Sequence, residues 1–332
     1  MGYKGMKIAL IGCGLIGEKR IRAAKDHEIV FLIDRDESRA QLLKEKTALH
    51  SAQVGTDWKR AIESIDVEAV IVATTHEMLT PISKMVVEAG KHLLVEKPVA
   101  RSLAEIETLV QASRYSKAIV KVGFNHRFHS AFLQAKRLIE SGCLGPLMYI
   151  RARYGHGGRL GYEKEWRAKR DLSGGGELID QGIHLIDLSR SFLGEFTEVY
   201  GEAETYFWPM EVEDNVFLSL KTSDGKRAWL HASWTEWKNL FCFEIFGRNG
   251  KLQIDGLGGS YGPETLTLYQ MKPQMGPPEI QKWSFEGSDQ SWQLEIEEWV
   301  RAIHENRPPL GNLRDARESL EIIDQIYGKV KV

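Results

Sequence analysis

Apolar positions along this chain follow two rhythms. Through roughly the first 125 residues, short continuous apolar runs alternate with stretches in which apolar positions recur every three or four residues. The runs occupy residues 7–12, 29–34 ("IVFLID"), 67–74 ("VEAVIVAT"), 92–96 ("HLLVE") and 118–124 ("AIVKVGF"). A strand that is apolar on both faces is covered on both, so these runs predict buried strands. The spacing between them predicts helices over residues 15–25, 38–46, 81–89 and 103–114. Strand–helix units repeated in this way predict a parallel, doubly wound sheet with right-handed crossovers.

After Phe124 the pattern changes. A helix is predicted over residues 130–141, ended by Gly142 and Gly145-Pro146, followed by a strand over 147–154 and a Gly-rich polar loop. One largely apolar helix begins near Gly176. From Thr197 to Phe285 there are seven strand-like runs, from "TEVYGEAETYF" to "IQKWSF". Asp224-Gly225 and Arg248-Asn249-Gly250 mark hairpins among them, so a largely antiparallel sheet is expected. Two helices close the chain. Trp292, Ile296, Trp299 and Ile303 share one face of the first, and Leu320, Ile323 and Tyr327 one face of the second.

Size and charge narrow the possibilities. A chain of 332 residues predicts two domains of an α/β protein. The formal net charge of −2 gives no overall attraction to nucleic acid or an anionic membrane. No apolar run approaches the ~20 residues of a membrane span. The first apolar run is broken by glycines and reads as a strand, not a signal peptide. Cys13, Cys143 and Cys242 form no close pair, which argues against a disulfide framework and for a reducing, cytoplasmic setting. Seven of the nine tryptophans lie after residue 200. In "KRAWLHASWTEW", Trp229, His231, Ser233, Thr235 and Trp237 share one strand face and Leu230, Ala232 and Trp234 the other. One face meets the domain's own helices; the other is expected to meet a second subunit.

Three motifs carry chemistry. Gly12-Cys13-Gly14-Leu15-Ile16-Gly17 follows a strand and opens a helix, the setting in which G-x-G-x-x-G binds a dinucleotide. Gly12 permits the turn, Gly14 lets backbone approach a pyrophosphate, and Gly17 lets helix and strand pack closely. Leu15 and Ile16 begin the helix whose N-terminus faces the phosphates. Asp34 ends the next strand, where a carboxylate accepts from ribose hydroxyls. Its charge favours NAD over NADP, although Arg35 beside it could contact a 2′-phosphate. Glu96-Lys97-Pro98 ends a buried strand, where a doubly wound sheet binds its ligands; the bland alternative is a strand-end ion pair. In "GGGELIDQGIHLIDL", Asp180 and His184 are four apart on a buried helix, with Asp187 beyond. His184 suits acid–base work, and Asp180 could orient it or hold a substrate hydroxyl; a self-satisfied core pair is the alternative. His126 and His129 are three apart with no third ligand nearby, so no metal is expected.

With these motifs in this order, the chain resembles the Gfo/Idh/MocA family, named for glucose–fructose oxidoreductase and inositol dehydrogenase. The resemblance runs from about Lys7 to Tyr327. It rests on the glycine motif, Glu96-Lys97-Pro98, "VGFNHRF" (Val122–Phe128) and the G-G-x-x-x-D-x-x-x-H pattern ending at Asp180 and His184. It implies a Rossmann dinucleotide-binding domain at residues 1–125. An α/β domain for substrate binding and oligomerisation would follow at 126–332, built on a large, open, mostly antiparallel sheet. It implies hydride transfer between NAD(P) and a CH–OH or C=O carbon of a sugar, polyol or sugar derivative; the sheet size and aromatic content predict a homodimer or homotetramer through the C-terminal sheet. Carried over by position, Lys97, Asp180 and His184 form the catalytic group. Thr74, Glu96, Lys97 and Asn125 join the glycine loop, Asp34 and Arg35 at the cofactor. Trp166 and Arg167 join the catalytic group at the substrate. Arg167 lies in a basic run that would suit a nucleotide sugar or a uronate. The chain departs from the family at "TTHEMLTP", where His76 and Leu79 replace an Asn-x-x-His pattern. The same residues would also serve a NAD-dependent glycosidase that oxidises its sugar transiently. A cofactor-binding regulator without turnover is the remaining alternative.

Overall fold

The computed structural model describes residues 5–328. It divides the chain into two compact units. Unit 1 opens with β1 (Lys7–Ile11), α1 (Leu15–Ala23), β2 (Glu28–Ile33), α2 (Glu37–Lys46), β3 (Gln53–Gly55) and α3 (Trp58–Glu63). It continues with β4 (Ala69–Val72), α4 (His76–Glu88), β5 (His92–Val95), α5 (Leu103–Arg114) and β6 (Val120–Val122). The strands form one six-stranded sheet, β3-β2-β1-β4-β5-β6, with every pair parallel. The continuous apolar runs do what they predict: Ile8, Leu10, Val70, Ile71, Leu93 and Leu94 are wholly buried.

Two departures have local causes. β3 and α3 carry no apolar run, and their spacing signals no element. The helix expected from Pro81 begins five residues earlier, at His76. Pro81 lies inside α4 rather than at its start, at the expense of one backbone donor. Leu79, Ile82, Val86 and Val87 bury the face that holds the helix in place.

Unit 2 holds α6 (Ser130–Glu140), β7 (Leu147–Gly155) and single turns at Tyr162–Lys164 and Trp166–Ala168; the short α7 (Arg170–Ser173) that follows lies, but for Arg170, in unit 1. A π-helical turn at Leu178–Gly182 runs into α8 (Ile183–Leu193). The strands β8 (Phe196–Glu204), β9 (Asn215–Thr222), β10 (Arg227–Ser233), β11 (Leu240–Gly247), β12 (Gly250–Asp255), β13 (Glu264–Gln270) and β14 (Glu279–Phe285) follow. Their sheet has the order β14-β13-β12-β11-β7-β10-β9-β8, antiparallel except where β7 joins β10. Leu230, Ala232 and Trp234 are buried on one face, whereas Trp229 is 62% exposed on the other, near the exposed Phe217 and Tyr200.

α9 (Ser291–Glu305) and α10 (Leu313–Tyr327) end the chain. A division at residue 125 assigns both to the second domain. Instead Trp292–Glu318 and Asp171–Gly174 belong to unit 1. The cause is apolar: Ile296, Trp299 and Val300 join the core formed by Ile8, Leu10, Ile71 and Leu94. No helix among the described residues is long and apolar enough to cross a membrane.

Candidate active site

In unit 1 the glycine motif forms a cradle. Gly12 takes a positive φ of 102°, and a Cβ on it would lie 2.3 Å from the Ala73 carbonyl oxygen. A Cβ on Gly17 would lie 2.0 Å from the Gly12 carbonyl oxygen, so only glycine lets α1 sit this close to the turn. Gly14 differs, because a Cβ there would meet nothing within 4 Å. The open space lies where α1 begins at Leu15 and Ile16, and first-turn N–H groups have no acceptor within their own helix. The buried Asp34 carboxylate accepts from the Cys13 N–H at 2.8 Å and the Asp36 N–H at 3.0 Å. A carboxylate offers about four lone-pair sites, so acceptors remain for ribose hydroxyls. The donor set, the open cradle and this carboxylate fit a dinucleotide. Burial, and then the Asp34 charge, pushes the Cys13 thiol up to about 12, so it acts as a small neutral residue. Arg35 is exposed beside the cradle, and Thr74 is half-buried at the end of β4. His76, which stands where the Asn-x-x-His pattern has its Asn, is buried with Nδ1 2.8 Å from the Ser173 carbonyl oxygen.

Lys97 follows β5, half-buried, in a cis peptide with Pro98. Behind it lies a buried quartet of charges. Arg20 Nε donates to Glu96 Oε1 at 2.6 Å, and Arg20 Nη1 donates to Glu295 Oε2 at 2.5 Å. Lys121 Nζ completes the group at 2.8 Å from Glu295 Oε1. The Trp292 ring lies 4.5 Å from the Arg20 guanidinium. Burial pushes the Glu96 carboxyl above its ordinary value despite Arg20. Burial works against the Glu295 charge too, but Arg20 and Lys121 prevail and hold its carboxyl below the usual range. Glu96 therefore anchors the strand end that carries Lys97. Spacing along the chain gave no sign of Arg20, Lys121 or Glu295.

In unit 2 the structure brings together Trp166, Arg167 and Asp180. Arg167 Nε donates to Asp180 Oδ2 at 3.2 Å, and its guanidinium lies 4.5 Å from the centre of the Trp166 ring. Burial opposes the Arg167 charge, but Asp180, Tyr162 and Glu165 hold it protonated. Asp180 lies within the π-helical turn, a feature common at functional sites. His184, buried in the first turn of α8, stacks on His126 with ring centres 3.7 Å apart and planes 13° from parallel. His126 has Nδ1 3.1 Å from Asn125 Oδ1 and Nε2 3.2 Å from the Tyr154 hydroxyl. Asn125 Nδ2 also donates to Ser291 Oγ at 3.0 Å. Gln181 Nε2 donates to the Tyr261 hydroxyl at 2.8 Å. Asp187 forms a bidentate pair with Arg127 at 2.6 and 2.7 Å, a buried contact that steadies α8. His129 pairs with Glu264 at 2.9 Å. Among the described residues no group of three or more His, Cys, Asp or Glu side chains could hold a metal ion. Tyr154, Tyr261 and the stacking role of His126 escaped the sequence, because they meet across β7, the β12–β13 loop and α8.

Two family models match the chain. One, an oxidoreductase family with an NAD-binding Rossmann fold, matches residues 6–124; the other, the GFO/IDH/MocA C-terminal domain, matches residues 132–253. The levoglucosan dehydrogenase of Pseudarthrobacter phenanthrenivorans is 27% identical over 224 residues, which cover 59% of this chain and 57% of that protein. The inositol 2-dehydrogenase 2 of Saccharopolyspora erythraea is 29% identical over 228 residues, covering 66% of this chain and 64% of that protein. The chain thus spans a little under two thirds of the length of these curated relatives. A solved levoglucosan dehydrogenase, in complex with NADH and L-sorbose, has the same fold, with a TM-score of 0.87. It is 21% identical, over 98% of this chain and 96% of that one.

Proposed function

We propose the function from one premise: the chain belongs to the GFO/IDH/MocA oxidoreductase family. On our reading it is an NAD-dependent dehydrogenase or reductase acting on a CH–OH or C=O carbon of a sugar, polyol or sugar derivative. The observation that carries this reading is the pairing of Arg167 with the buried Asp180, four residues before the buried His184 on the same helical segment. A buried acid and a buried base on one helical segment, the acid paired with a cation, are a candidate for chemistry.

When bound, the nicotinamide accepts or returns the hydride. Gly12, Gly14 and Gly17 would shape its cradle, the N–H groups of Leu15 and Ile16 would hold its pyrophosphate, and Asp34 would accept from a ribose. Arg35, Thr74 and Glu96 of unit 1 would help to hold the cofactor, and Asn125 of unit 2 is a further candidate. Asp34 repels a 2′-phosphate, so NAD is preferred, with NADP second through Arg35. His184 takes the substrate hydroxyl proton or returns it. Lys97 donates a hydrogen bond to the same oxygen and stabilises the negative charge that grows there. Asp180, held by Arg167, positions a neighbouring hydroxyl, and Trp166 stacks against an apolar sugar face. The relatives' names, levoglucosan and inositol dehydrogenases, support a sugar-like substrate for this chain.

The test is single-turnover NADH formation with levoglucosan, myo-inositol, uronates and nucleotide sugars. Lys97→Ala and His184→Ala are each expected to slow it by about 100-fold or more. Wild-type rates in both variants would sink the assignment. We also propose a homodimer or homotetramer formed through the exposed sheet face around Trp229, in a reducing cytoplasm that suits the free thiols of Cys13, Cys143 and Cys242. Trp229→Glu should then lower the sedimentation coefficient to that of a monomer; an unchanged value removes that face as the interface.

A further inference from the structure

Glu213, in the loop between β8 and β9, is buried and has no part in the chemistry above. Its Oε1 accepts from three donors: the Gly176 N–H at 3.0 Å, the Leu178 N–H at 3.1 Å and the Tyr327 hydroxyl at 2.7 Å. Its backbone carbonyl accepts from the Glu177 N–H at 3.0 Å. Three successive N–H groups, at the start of the helical segment that carries Asp180 and His184, thus end on one residue. Such groups lack acceptors within their own helix, and a carboxylate also complements the positive end of the helix.

The neighbouring glycines are shaped to this contact. A Cβ on Gly175 would lie 1.9 Å from the Tyr327 hydroxyl oxygen, and one on Gly176 would lie 1.9 Å from the Glu213 carbonyl oxygen. The Gly-Gly that opens the Asp180–His184 motif therefore admits Glu213 and Tyr327 against the helix start. Two residues beyond Leu178 stands Asp180, whose N–H bonds to the Gly176 carbonyl at 3.0 Å and begins the turn. Any slip at Gly176 or Leu178 is passed directly to Asp180 and, through the π-helical turn, to His184.

We propose that Glu213, with Tyr327 bound to it, is the positioning residue for Asp180 and His184. It holds the helix start at a fixed depth, so that the two side chains of the proposed reaction keep their aim. Burial, and then the Glu213 charge, keeps the Tyr327 hydroxyl protonated and able to donate. The inference rests on the proposed reaction only for what His184 and Asp180 do, not for how they are held.

The deciding experiment needs no substrate. The ring nitrogen resonances of His184 are followed by ¹⁵N NMR in the full chain, for Glu213→Gln, Glu213→Ala and Tyr327→Phe. Thermal midpoint and NAD affinity are measured alongside. Glu213→Ala should move the His184 resonances while unit 1 still binds NAD with wild-type affinity. Glu213→Gln keeps an acceptor oxygen and should return them most of the way; Tyr327→Phe should fall between. Turnover of levoglucosan and myo-inositol should follow, with kcat down about 100-fold in Glu213→Ala, the scale of a misplaced catalytic group, and KM little changed. Unmoved His184 resonances in Glu213→Ala would overturn the proposal. So would a Glu213→Gln variant no better than Glu213→Ala. If Glu213→Ala does not fold, Glu213→Gln and Tyr327→Phe decide by the same resonances. Wild-type turnover in His184→Ala would instead overturn the proposed reaction and leave the positioning role standing.

Discussion

Lys97 and the Asp180–His184 turn are held by different physics. Lys97 stands on a strand end backed by four buried charges, Arg20, Glu96, Lys121 and Glu295, whose formal sum is zero. The Asp180–His184 turn is held by one carboxylate that collects backbone N–H groups and a tyrosine hydroxyl, with glycines admitting the contact. The first arrangement joins residues as far as 275 positions apart, so α1, the end of β5, β6 and α9 must all be in place before every charge is compensated. The second is a cap, and it acts over one turn of helix. Long-range compensation is strong but fails as a whole when one member is lost. A cap is weaker and fails locally.

The largest effect should therefore come from the quartet. Arg20→Leu leaves two buried carboxylates facing a single cation. Breaking a buried ion network by removing one partner costs about 3–5 kcal/mol. Tyr327→Phe removes one neutral donor from Glu213 and should cost about 1 kcal/mol. Urea unfolding of both variants measures the contrast. If Arg20→Leu were as mild as Tyr327→Phe, the quartet would not be what fixes the Lys97 strand end.

This contrast also explains what was legible beforehand. Buried strands such as Val70–Val72 and Leu93–Val95 announce themselves as continuous apolar runs, because burial on both faces needs no distant information. The glycine cradle could be located, and Lys97, Asp180 and His184 singled out as candidates, because each stands in a short local pattern. Arg20 was not: it lies between Lys19 and Ile21 on an ordinary amphipathic helix, and its partners are set by the tertiary fold. Glu213 was hidden among the acids of "EVED", and nothing local separates it from Glu211, which is exposed. Tyr327 reads as one more core residue of the last helix. The start of α4 was misplaced because Pro81 suits a first helical turn, whereas the buried apolar face of the helix extends further back. Local patterns single out the candidate groups; only packing names the groups that hold them.

A smaller effect separates the two regions by sign. Glu295 is ionised more readily in the folded protein than in the unfolded chain, through Arg20 and Lys121 and against its burial. Its contribution to stability is present above the unfolded carboxylate value, about 4.3, and is lost as pH falls through its lower folded value. Glu213 is the reverse. Burial raises its carboxyl above the ordinary value, so the folded protein takes up a proton before the unfolded chain does. Acidification from its folded value down to about 4.3 therefore adds stability through Glu213, and the gain levels off below. Relative to wild type, Glu295→Gln should be most destabilised near neutrality and should close the gap as pH drops below about 4.3. Glu213→Gln should lose ground over the window above that value, because glutamine cannot take up the proton. Urea midpoints measured from neutrality down to about pH 3.5 read both slopes in one experiment. Difference curves of the same sign would mean that burial governs both carboxylates alike, and that the two cations do not set the charge of Glu295.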